Sequence, residues 1–409
     1  MSSRFGPDFF RRNRERLVTL FAGTAPIVLT ANGRLQQAGS EPYPFEQDGS
    51  FWYFTGLDQP DFVLVLDKGK EFIILPKQSD YLNLFEGGQS LENLQNYSGI
   101  ADILDWREGN KRLEARLKRV KHVATIAPAP AFVEVYGMYA NPSRAALVDR
   151  MKSVNSSLEI LDLKTHVAKL RMVKQPEELT QLRQAIKITY KSLQRVTGIK
   201  ISKFSTTFEI ETELLRQFRS RGADGEAFES VIISGTDTCV IHGHASKKPI
   251  TSRGAFLLDV GARVNKYCAD VSRTYFLGGA AKRHRQVHTA VIEVYDYAKS
   301  LLKPGVVIRT YEKEVEQYMG EKLRELGLIK SLERENIRKY FPHATSHFLG
   351  IDVHDAGDYD SPISKNVTLT IEPGIYIPEE GFGVRIEDDF IITDNSCQLL
   401  VDGLPLTLD

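Results

Sequence analysis

The stretch FLLDVGARVNKYCADVSRTYFL, residues 256–277, decides the fold of the second half of this chain. It consists of two apolar runs of strand character around a turn, and one aspartate interrupts each run. These are Asp259 and Asp270, with ten residues between them. Because burying an ionised carboxylate is costly unless it is paired or bound to a metal, the stretch indicates two strands that carry a site.

Two glutamates repeat this pattern further along the chain. Glu372 follows the run LTI at 369–371, and Glu387 follows VRI at 384–386. Four carboxylates in such settings need cations, and the arginines nearby are too few to neutralise them all. These arginines are Arg263, Arg273 and Arg385.

Histidines accompany the acids. His343, His347 and His354 cluster within twelve residues, and His242 and His244 precede the Asp259 strand. One imidazole among several carboxylates is an oxygen-rich ligand set that suits Mn, Fe or Co and, less decisively, Zn. Carboxylates can also bridge two ions held about 3.5–4 Å apart, as aminopeptidases and phosphatases do. The set as a whole predicts a metal site.

Each of these residues taken alone has an ordinary explanation. An acid at a strand end often caps a turn, and a single histidine is usually structural. His343 and His347 also stand at the i, i+4 spacing of a zincin, but that motif needs a glutamate where Ala344 stands. The zincin interpretation is therefore rejected, and only the combined pattern favours metal binding.

Composition narrows the class of protein. At 409 residues the chain exceeds what one core usually spans, so two domains are expected. Lys+Arg and Asp+Glu both count 53, which gives no net field to attract nucleic acid or an anionic membrane. No apolar run approaches a membrane span, and three scattered cysteines fit a reducing compartment. We expect a cytoplasmic protein.

Periodicity divides the chain near residue 168. The first part mixes short strands with helices, whereas later blocks of helices and strands indicate α+β with a largely antiparallel sheet. A helix begins at Pro176, and another begins at Thr206 with Glu209 in capping-box spacing. The predicted strands are Ala25–Thr30, Phe62–Leu66, Glu71–Leu75, Ser230–Ser234, Ala255–Val260, Tyr267–Phe276, Val367–Ile371 and Val384–Ile392.

Five motifs of this half resemble those of the pita-bread metallopeptidases, a family that includes methionine aminopeptidase, aminopeptidase P, prolidase and creatinase. The motifs are LDVG (258–261), ADVSRT (269–274), SHFLG (346–350), IEPGIY (371–376) and VRIEDD (384–389). In the first half, YPFEQDGSFWYFTGL (43–57) and QPDFVLVL (59–66) resemble the beginning of the aminopeptidase P N-terminal domain. Methionine aminopeptidase lacks such a domain, and prolidase lacks this motif.

The resemblance implies the fold and the cofactors. A smaller α/β domain, residues 1–168, would precede a pita-bread catalytic domain, residues 169–409, with a curved and largely antiparallel sheet. The cofactors would be two divalent metal ions, with Mn the usual assignment and Co, Fe or Zn as alternatives. The implied ligands are Asp259, Asp270, His347, Glu372 and Glu387, of which Asp270 and Glu387 would bridge the ions.

The resemblance also assigns roles in catalysis. Glu372 would be the general base for a water that bridges the metals. His354 would hydrogen-bond the substrate carbonyl, and His242 would line the pocket near the scissile bond.

Three further residues receive supporting roles in the same way. His343 would contact the proline side of the substrate, and Tyr376 would line the pocket. Arg385 would orient Glu387 or Asp270.

The implied activity is removal of an N-terminal residue that precedes proline. Proline has no N–H, so a protease that binds a backbone amide there cannot use it, whereas an exopeptidase that binds the free amine and the carbonyl can. The alternatives are a prolidase restricted to Xaa-Pro dipeptides and a non-catalytic relative that has lost its metals. The presence of all five ligands argues against the second. A homo-oligomer, dimer or tetramer, is implied by the resemblance alone.

Several positions depart from the family pattern. Ala344 replaces a usual Gly, Phe348 a usual Trp and Ala269 a usual Gly. The segment 358–366 is short and lacks an arginine often found there, and Glu46 replaces a common Arg. None of these changes removes a ligand, but those beside the site would alter which first residue or peptide length is accepted.

Overall fold

A computed structural model describes residues 5–77, 87, 90–198 and 201–406 of the chain. The chain divides into two units, Met1–Leu170 and Arg171–Asp409. No described helix has both the length and the apolar character needed to cross a lipid bilayer.

Helices and strands alternate along both units. The α-helices of the described residues are Pro7–Phe21, Gly49–Thr55, Leu91–Ser98, Trp106–Leu117, Ser143–Val154, Lys164–Met172, Pro176–Gly198, Thr207–Ser220, Lys282–Leu301, Ile308–Glu325 and Arg334–Tyr340. Short 3-10 helices are Glu134–Tyr136, Ile201–Lys203 and Gly235–Cys239.

The strands are numbered in chain order. They are β1 (Ile27–Thr30), β2 (Gln36–Ala38), β3 (Glu41–Pro42), β4 (Val63–Asp67), β5 (Lys70–Ile74), β6 (Ile103–Leu104), β7 (His122–Thr125), β8 (Phe132–Val133), β9 (Met138–Tyr139), β10 (Glu159–Asp162), β11 (Gly225–Glu226), β12 (Val231–Ser234), β13 (Gly254–Val260), β14 (Ala262–Val264), β15 (Tyr267–Cys268), β16 (Val271–Leu277), β17 (Thr368–Ile371), β18 (Gly374–Ile377), β19 (Phe382–Arg385), β20 (Asp388–Ile392) and β21 (Cys397–Leu399).

The first unit is built on a mixed sheet with the strand order β10-β7-β1-β4-β5-β6. β4 runs antiparallel to its neighbours β1 and β5, whereas β10, β7 and β1 pair in parallel, as do β5 and β6. Apolar strand residues such as Val28 and Val65 share a core with Leu113 and Met151 of the helices. This is the α/β arrangement that the sequence predicts.

The second unit pairs its strands antiparallel throughout the described residues. Its sheets have the orders β11-β14-β15, β12-β13-β16, β17-β20-β21 and β18-β19. The helices Lys282–Leu301 and Ile308–Glu325 bury apolar side chains in one core with Ile371, Val384 and Phe390. The predicted α+β class with a largely antiparallel sheet is confirmed.

Local signals account for the start of the helix Thr207–Ser220. Thr206 is its N-cap, and its hydroxyl accepts a hydrogen bond from the backbone N–H of Glu209 at 3.3 Å. Glu209 returns the contact by accepting from the N–H of Ser205 at 2.8 Å. The two bonds satisfy N–H groups that have no partner inside the helix.

The register of the strand pairing in the second unit brings Asp259 and Asp270 together. β13 and β16 pair with Asp259 opposite Ser272. The residues from Gly261 to Ala269 form a connection that lies outside this pair of strands. The two ends of this connection lie close together, because a Cβ on Gly261 would be 1.8 Å from the carbonyl oxygen of Ala269. Asp259 and Asp270 therefore lie at the same end of one strand pair.

Two predicted strands are broken in the structure, and a carboxylate lies at each break. The predicted strand Tyr267–Phe276 divides into β15 and β16 around Asp270, and Val384–Ile392 divides into β19 and β20 around Glu387. At the breaks the backbone bonds to groups outside the ladder. The N–H of Asp270 donates to Asp389 at 3.1 Å, and that of Glu387 donates to the carbonyl of Ser272 at 3.1 Å.

Candidate active site

Three predicted ligands converge in the second unit. Asp270, His347 and Glu387 each offer one ligand atom, and these atoms all lie within 4.8 Å of one another. The Nε2 atom of His347 lies 3.3 Å from Asp270 Oδ2 and 3.9 Å from Glu387 Oε1. Spacing of this kind suits a shared cation.

Glu372 joins this group from the end of β17. Its Oε1 atom lies 3.4 Å from His347 Nε2. Its backbone N–H donates to the carbonyl of Thr345 at 2.8 Å, which ties the two ligand segments together.

The imidazole of His347 is oriented for metal binding. Its Nδ1 atom lies 3.1 Å from the carbonyl oxygen of Phe348. Because a carbonyl only accepts, Nδ1 carries the proton and Nε2 keeps its lone pair toward the carboxylates. Burial lowers the pKa of His347, which also favours the neutral form that binds metals.

Asp259 lies beside Asp270 and contacts an arginine. Arg385 donates from Nη2 to Asp259 Oδ2 at 2.6 Å. The other oxygen of Asp259, Oδ1, is buried and has no hydrogen-bond partner among the described residues, and the same holds for Oε1 of Glu387. Buried oxygens without partners are expected to serve a bound group, and a metal ion is one that carboxylates accept.

Like charges dominate the electrostatics of this cluster. Burial, and next the charge of Asp259, raises the pKa of Asp270 well above its ordinary value. Burial and the neighbouring carboxylates do the same for Glu372 and Glu387. Since these groups cannot all be ionised without added positive charge, the residues present fit divalent cations.

A hydrogen-bonded chain leads away from Asp259. Arg385 donates from Nη1 to the hydroxyl of Tyr376 at 2.8 Å, and that hydroxyl lies 2.8 Å from Nε2 of His343. Burial lowers the pKa of His343 to about 3, and the charge of Arg385 acts in the same direction. His343 is therefore neutral at pH 7.

His354 contacts His347, and His242 lies within electrostatic range of His343 and His354. The ring of His354 meets that of His347 at 4.4 Å between centroids. Burial is the main cause that lowers the pKa of His354 to about 4. His242 is exposed, yet it is close enough that its charge also lowers the pKa of His343 and His354.

Comparison with known proteins adds to this geometry. Residues 180–394 match the model of metallopeptidase family M24, which is more than half of the chain. The chain belongs to metallopeptidase family M24. Residues 10–125 match the N-terminal domain of aminopeptidase P. The resemblance to two-domain, aminopeptidase P-type M24 peptidases is thereby confirmed.

Proteins similar to this M24 peptidase align with it along nearly its whole length. It is 27% identical to the Xaa-Pro aminopeptidase of Haemophilus influenzae, over 97% of this chain and 94% of that one. It is 29% identical to the Xaa-Pro aminopeptidase of Escherichia coli, over 94% and 92%. The solved structure of E. coli aminopeptidase P with the inhibitor Pro-Leu superposes with a TM-score of 0.82 at 25% identity, over 98% of this chain and 96% of that one.

Membership in family M24 implies a metal-dependent hydrolase with peptide substrates. Asp270, His347 and Glu387 are residues that could hold the metal. All ten predicted site residues lie in the described part of this unit, and two of the five predicted ligands, Asp259 and Glu372, are outside the converging trio.

Sequence reasoning did not assign a role to Ser272. Its hydroxyl donates to Glu387 Oε2 at 2.9 Å and accepts from Arg385 Nε at 2.9 Å. The signal was present, because Ser272 stands two residues after Asp270 and alternation places both on one face.

Arg273, the next residue, lies on the opposite face of the same strand. Its side chain leaves the site and binds both oxygens of buried Asp388, at 2.8 and 3.0 Å. The hydroxyls of Tyr190 and Tyr295 also donate to Asp388, each at 2.8 Å. Arg273 therefore cannot neutralise the ligand carboxylates.

Glu312 was missed altogether, and no local pattern marks it. Its carboxylate accepts the backbone N–H groups of Thr345 and Ser346, at 2.8 and 2.9 Å. These two residues directly precede His347, so Glu312 acts on the ligand segment from a separate helix.

Two departures from the family pattern have different surroundings. Ala344 is exposed, and its carbonyl lies 2.8 Å from Nδ1 of His343. Phe348 is buried between Tyr359, with ring centroids 4.8 Å apart, and Gly357, where an added Cβ would lie 1.9 Å from the ring. A ring larger than Phe348 would therefore require its surroundings to move.

Proposed function

We propose that this M24 peptidase is an Xaa-Pro aminopeptidase, which hydrolyses the bond between an N-terminal residue and a following proline. The observation that supports this most is the convergence of Asp270, His347, Glu372 and Glu387 around one small volume, in a chain that carries the aminopeptidase P N-terminal domain.

The proposed ligands of two divalent ions, most usually Mn, are Asp259, Asp270, His347, Glu372 and Glu387. When bound, such ions polarise a peptide carbonyl and lower the pKa of water. This assignment is supported by the lone pair on His347 Nε2 and by the buried oxygens of Asp259 and Glu387 that have no partner in the described part of the chain.

Glu372 is proposed as the general base. Its carboxylate lies 3.4 Å from His347 Nε2 on one oxygen and 3.7 Å from His343 Nδ1 on the other, so it borders both the ligand cluster and the neutral histidine. Burial, and next the charge of Glu387, raises its pKa well above the ordinary value in the metal-free chain.

His354, His242 and His343 are proposed to contact the substrate. His343 and His354 are uncharged in this setting, because burial lowers their pKa values to about 3 and about 4. Neutral imidazoles can donate a hydrogen bond to a carbonyl oxygen without repelling the peptide's free amine. Tyr376 is proposed to line the pocket, and Arg385, which donates to the hydroxyl of Tyr376, is proposed to orient Glu387 or Asp270.

The proposed substrates are peptides with proline at the second position. The second candidate is a prolidase that accepts only Xaa-Pro dipeptides, since it would use the same ligands. The 94% and 92% coverage of the two Xaa-Pro aminopeptidases favours the first. A dimer or tetramer, as in the sequence-based expectation, is part of this proposal.

The test is hydrolysis of Arg-Pro-Pro and Arg-Pro after the protein has been stripped of metal and resupplied with Mn. Metal-dependent release of Arg from the tripeptide would support the proposal. Cleavage of the dipeptide alone would move the assignment to prolidase, and no turnover of either peptide with metal bound would contradict both.

Matched variants locate the activity. Glu372→Ala should abolish Arg release, whereas Glu380→Ala removes an exposed carboxylate that pairs with Arg283 and should leave the rate unchanged. Equal rates for both variants would exclude Glu372 as the base.

A further inference from the structure

A carboxylate outside the predicted ligand set holds the backbone that carries His347. Glu312 lies in the first turns of the helix Ile308–Glu325 and is partly buried. Its Oε2 accepts the N–H of Thr345 at 2.8 Å, and its Oε1 accepts the N–H of Ser346 at 2.9 Å. Each oxygen has its own donor.

The other side of the same segment bonds to β17. The N–H of His347 lies 3.3 Å from the hydroxyl of Thr370, and the carbonyl of His347 accepts from the N–H of Thr370 at 3.0 Å. The carbonyl of Thr345 accepts from Glu372 at 2.8 Å. Glu312 thus satisfies the two N–H groups that immediately precede the ligand histidine.

The segment is held at its beginning by the same helix layer. Arg338 donates to the carbonyl of His343 at 2.7 Å and forms an ion pair with Glu316, one turn after Glu312. Tyr311 lies beside Glu312, and its hydroxyl is 3.0 Å from that of Ser346. The helix Ile308–Glu325 therefore fixes the approach to His347 through several polar contacts.

Loss of Glu312 would leave buried donors without partners. Thr345 and Ser346 are buried, and a buried backbone N–H that loses its acceptor is destabilising because water cannot replace the lost hydrogen bond. A glutamine has one acceptor oxygen and would turn its NH2 group toward one of these N–H groups.

We infer that Glu312 is a positioning residue that holds His347 and Glu372 in their metal-binding arrangement before any ion arrives. The inference rests on the proposed function, because it takes these two residues as ligands. It concerns metal affinity, so it can be tested without substrate.

The experiment compares Glu312→Gln with Glu314→Gln, which makes the same chemical change on an exposed residue of the same helix. Calorimetric titration of the metal-stripped proteins with Mn²⁺ should show one equivalent binding about 10–100-fold more weakly in the first variant. The Glu314 variant should match the wild type. Glu312→Ala should weaken binding at least as much as Glu312→Gln.

Two results would overturn the inference. One is a lower melting temperature of the Glu312 variants with Mn²⁺ affinity unchanged, which is the signature of a merely structural role. The other comes from the wild-type chain, which avoids any folding failure of the variants. If the amides of Thr345 and Ser346 exchange freely in the metal-stripped protein, Glu312 does not hold them in advance.

The outcomes also separate this inference from the proposed function. Weaker Mn²⁺ binding in Glu312→Gln together with no turnover of either peptide would support the positioning role and reject the aminopeptidase. Cleavage of Arg-Pro-Pro by the wild type, together with unchanged Mn²⁺ affinity in Glu312→Gln, would support the aminopeptidase and reject the positioning role.

Discussion

Arg385 donates a hydrogen bond from Nη2 to Oδ2 of Asp259 at 2.6 Å. The same guanidinium donates from Nε to Ser272 and from Nη1 to Tyr376. Three nitrogens thus serve three partners, and Arg385 is buried. A planar fork of donors with a permanent charge is the feature that lysine lacks.

Replacing this residue by lysine should therefore impair the site. Arg385→Lys keeps the positive charge but reaches at most one of the three partners, so Asp259 and Tyr376 lose their orientation. We expect kcat for Arg-Pro-Pro to fall about 10–100-fold, the range found when residues that orient metal ligands are changed. Arg283→Lys, at an exposed pair with Glu380, is the control and should keep the wild-type rate. A normal kcat in Arg385→Lys would mean that one contact is sufficient.

Removal of the ligand histidine gives a prediction on metal content. His347→Ala deletes the nitrogen that lies within 3.3–3.9 Å of three carboxylates. Bound Mn, measured by elemental analysis after gel filtration, should fall by about one equivalent per chain. His122→Ala changes an exposed histidine of the first unit and should bind the wild-type amount. Unchanged metal content in His347→Ala would remove this residue from the ligand set.

A buried ion trio beside His354 should be needed for stability. Asp355 forms ion pairs with Arg171 and Lys174, and all three are buried. Burial raises the pKa of Asp355, but the two cations outweigh it, so its pKa lies below the ordinary value. Asp355→Asn would break the ion pair of buried Lys174 and leave Arg171 with the half-exposed Asp352, at a cost of about 3–5 kcal/mol in the free energy of unfolding.

Urea unfolding of the metal-stripped protein measures this loss. The control is Asp352→Asn, which removes the half-exposed partner of Arg171 and should cost less than about 1 kcal/mol. Equal midpoints for the two variants would show that Asp355 is not the dominant anion of the trio.

A pH dependence is expected from His288, which is buried in the helix Lys282–Leu301. Burial lowers its pKa to about 4, and the charge of Arg273 acts in the same direction. The unfolded chain binds this proton near the ordinary pKa of about 6.5. Stability is therefore complete above about pH 6.5, declines as the pH falls toward about 4, and loses nothing more from this group below that.

His288→Gln removes this titration. Between pH 7.5 and pH 4, its free energy of unfolding should decline by roughly 1–3 kcal/mol less than that of the wild type. His122→Gln, at an exposed position, should follow the wild type. Parallel curves for all three proteins would mean that His288 is protonated at its ordinary pKa in the fold.

Much of the fold and of the candidate site could be predicted because the signals are local. Apolar runs interrupted by Asp259 and Glu372 mark strands with a carboxylate at or near the end, and Pro176 and Thr206 mark helix starts. The structure brings together the carboxylates and histidines that these patterns indicate. Their roles as ligands and catalytic groups remain predictions.

What could not be predicted depends on contacts between distant segments. The breaks at Asp270 and Glu387 arise because their N–H groups bond to Asp389 and to the carbonyl of Ser272, which lie more than 100 residues away in the chain. Glu312 reaches backbone groups more than 30 residues further on. Strand periodicity describes a segment by itself and contains no record of such partners.

The pairing of β13 with β16 has a consequence for how chains of this kind can change in length. Asp259 and Ser272 lie opposite each other in the strand pair. Gly261 and Ala269 lie close together at the base of the connection between the two strands. Residues inserted or deleted in the middle of this connection, around Asn265, would leave both aspartates in place. A single insertion within either strand would instead turn its later side chains to the opposite face of the sheet. Evolutionary variation in length, and any loop grafted by design, should therefore be tolerated at the turn around Asn265 and excluded from the strands on either side.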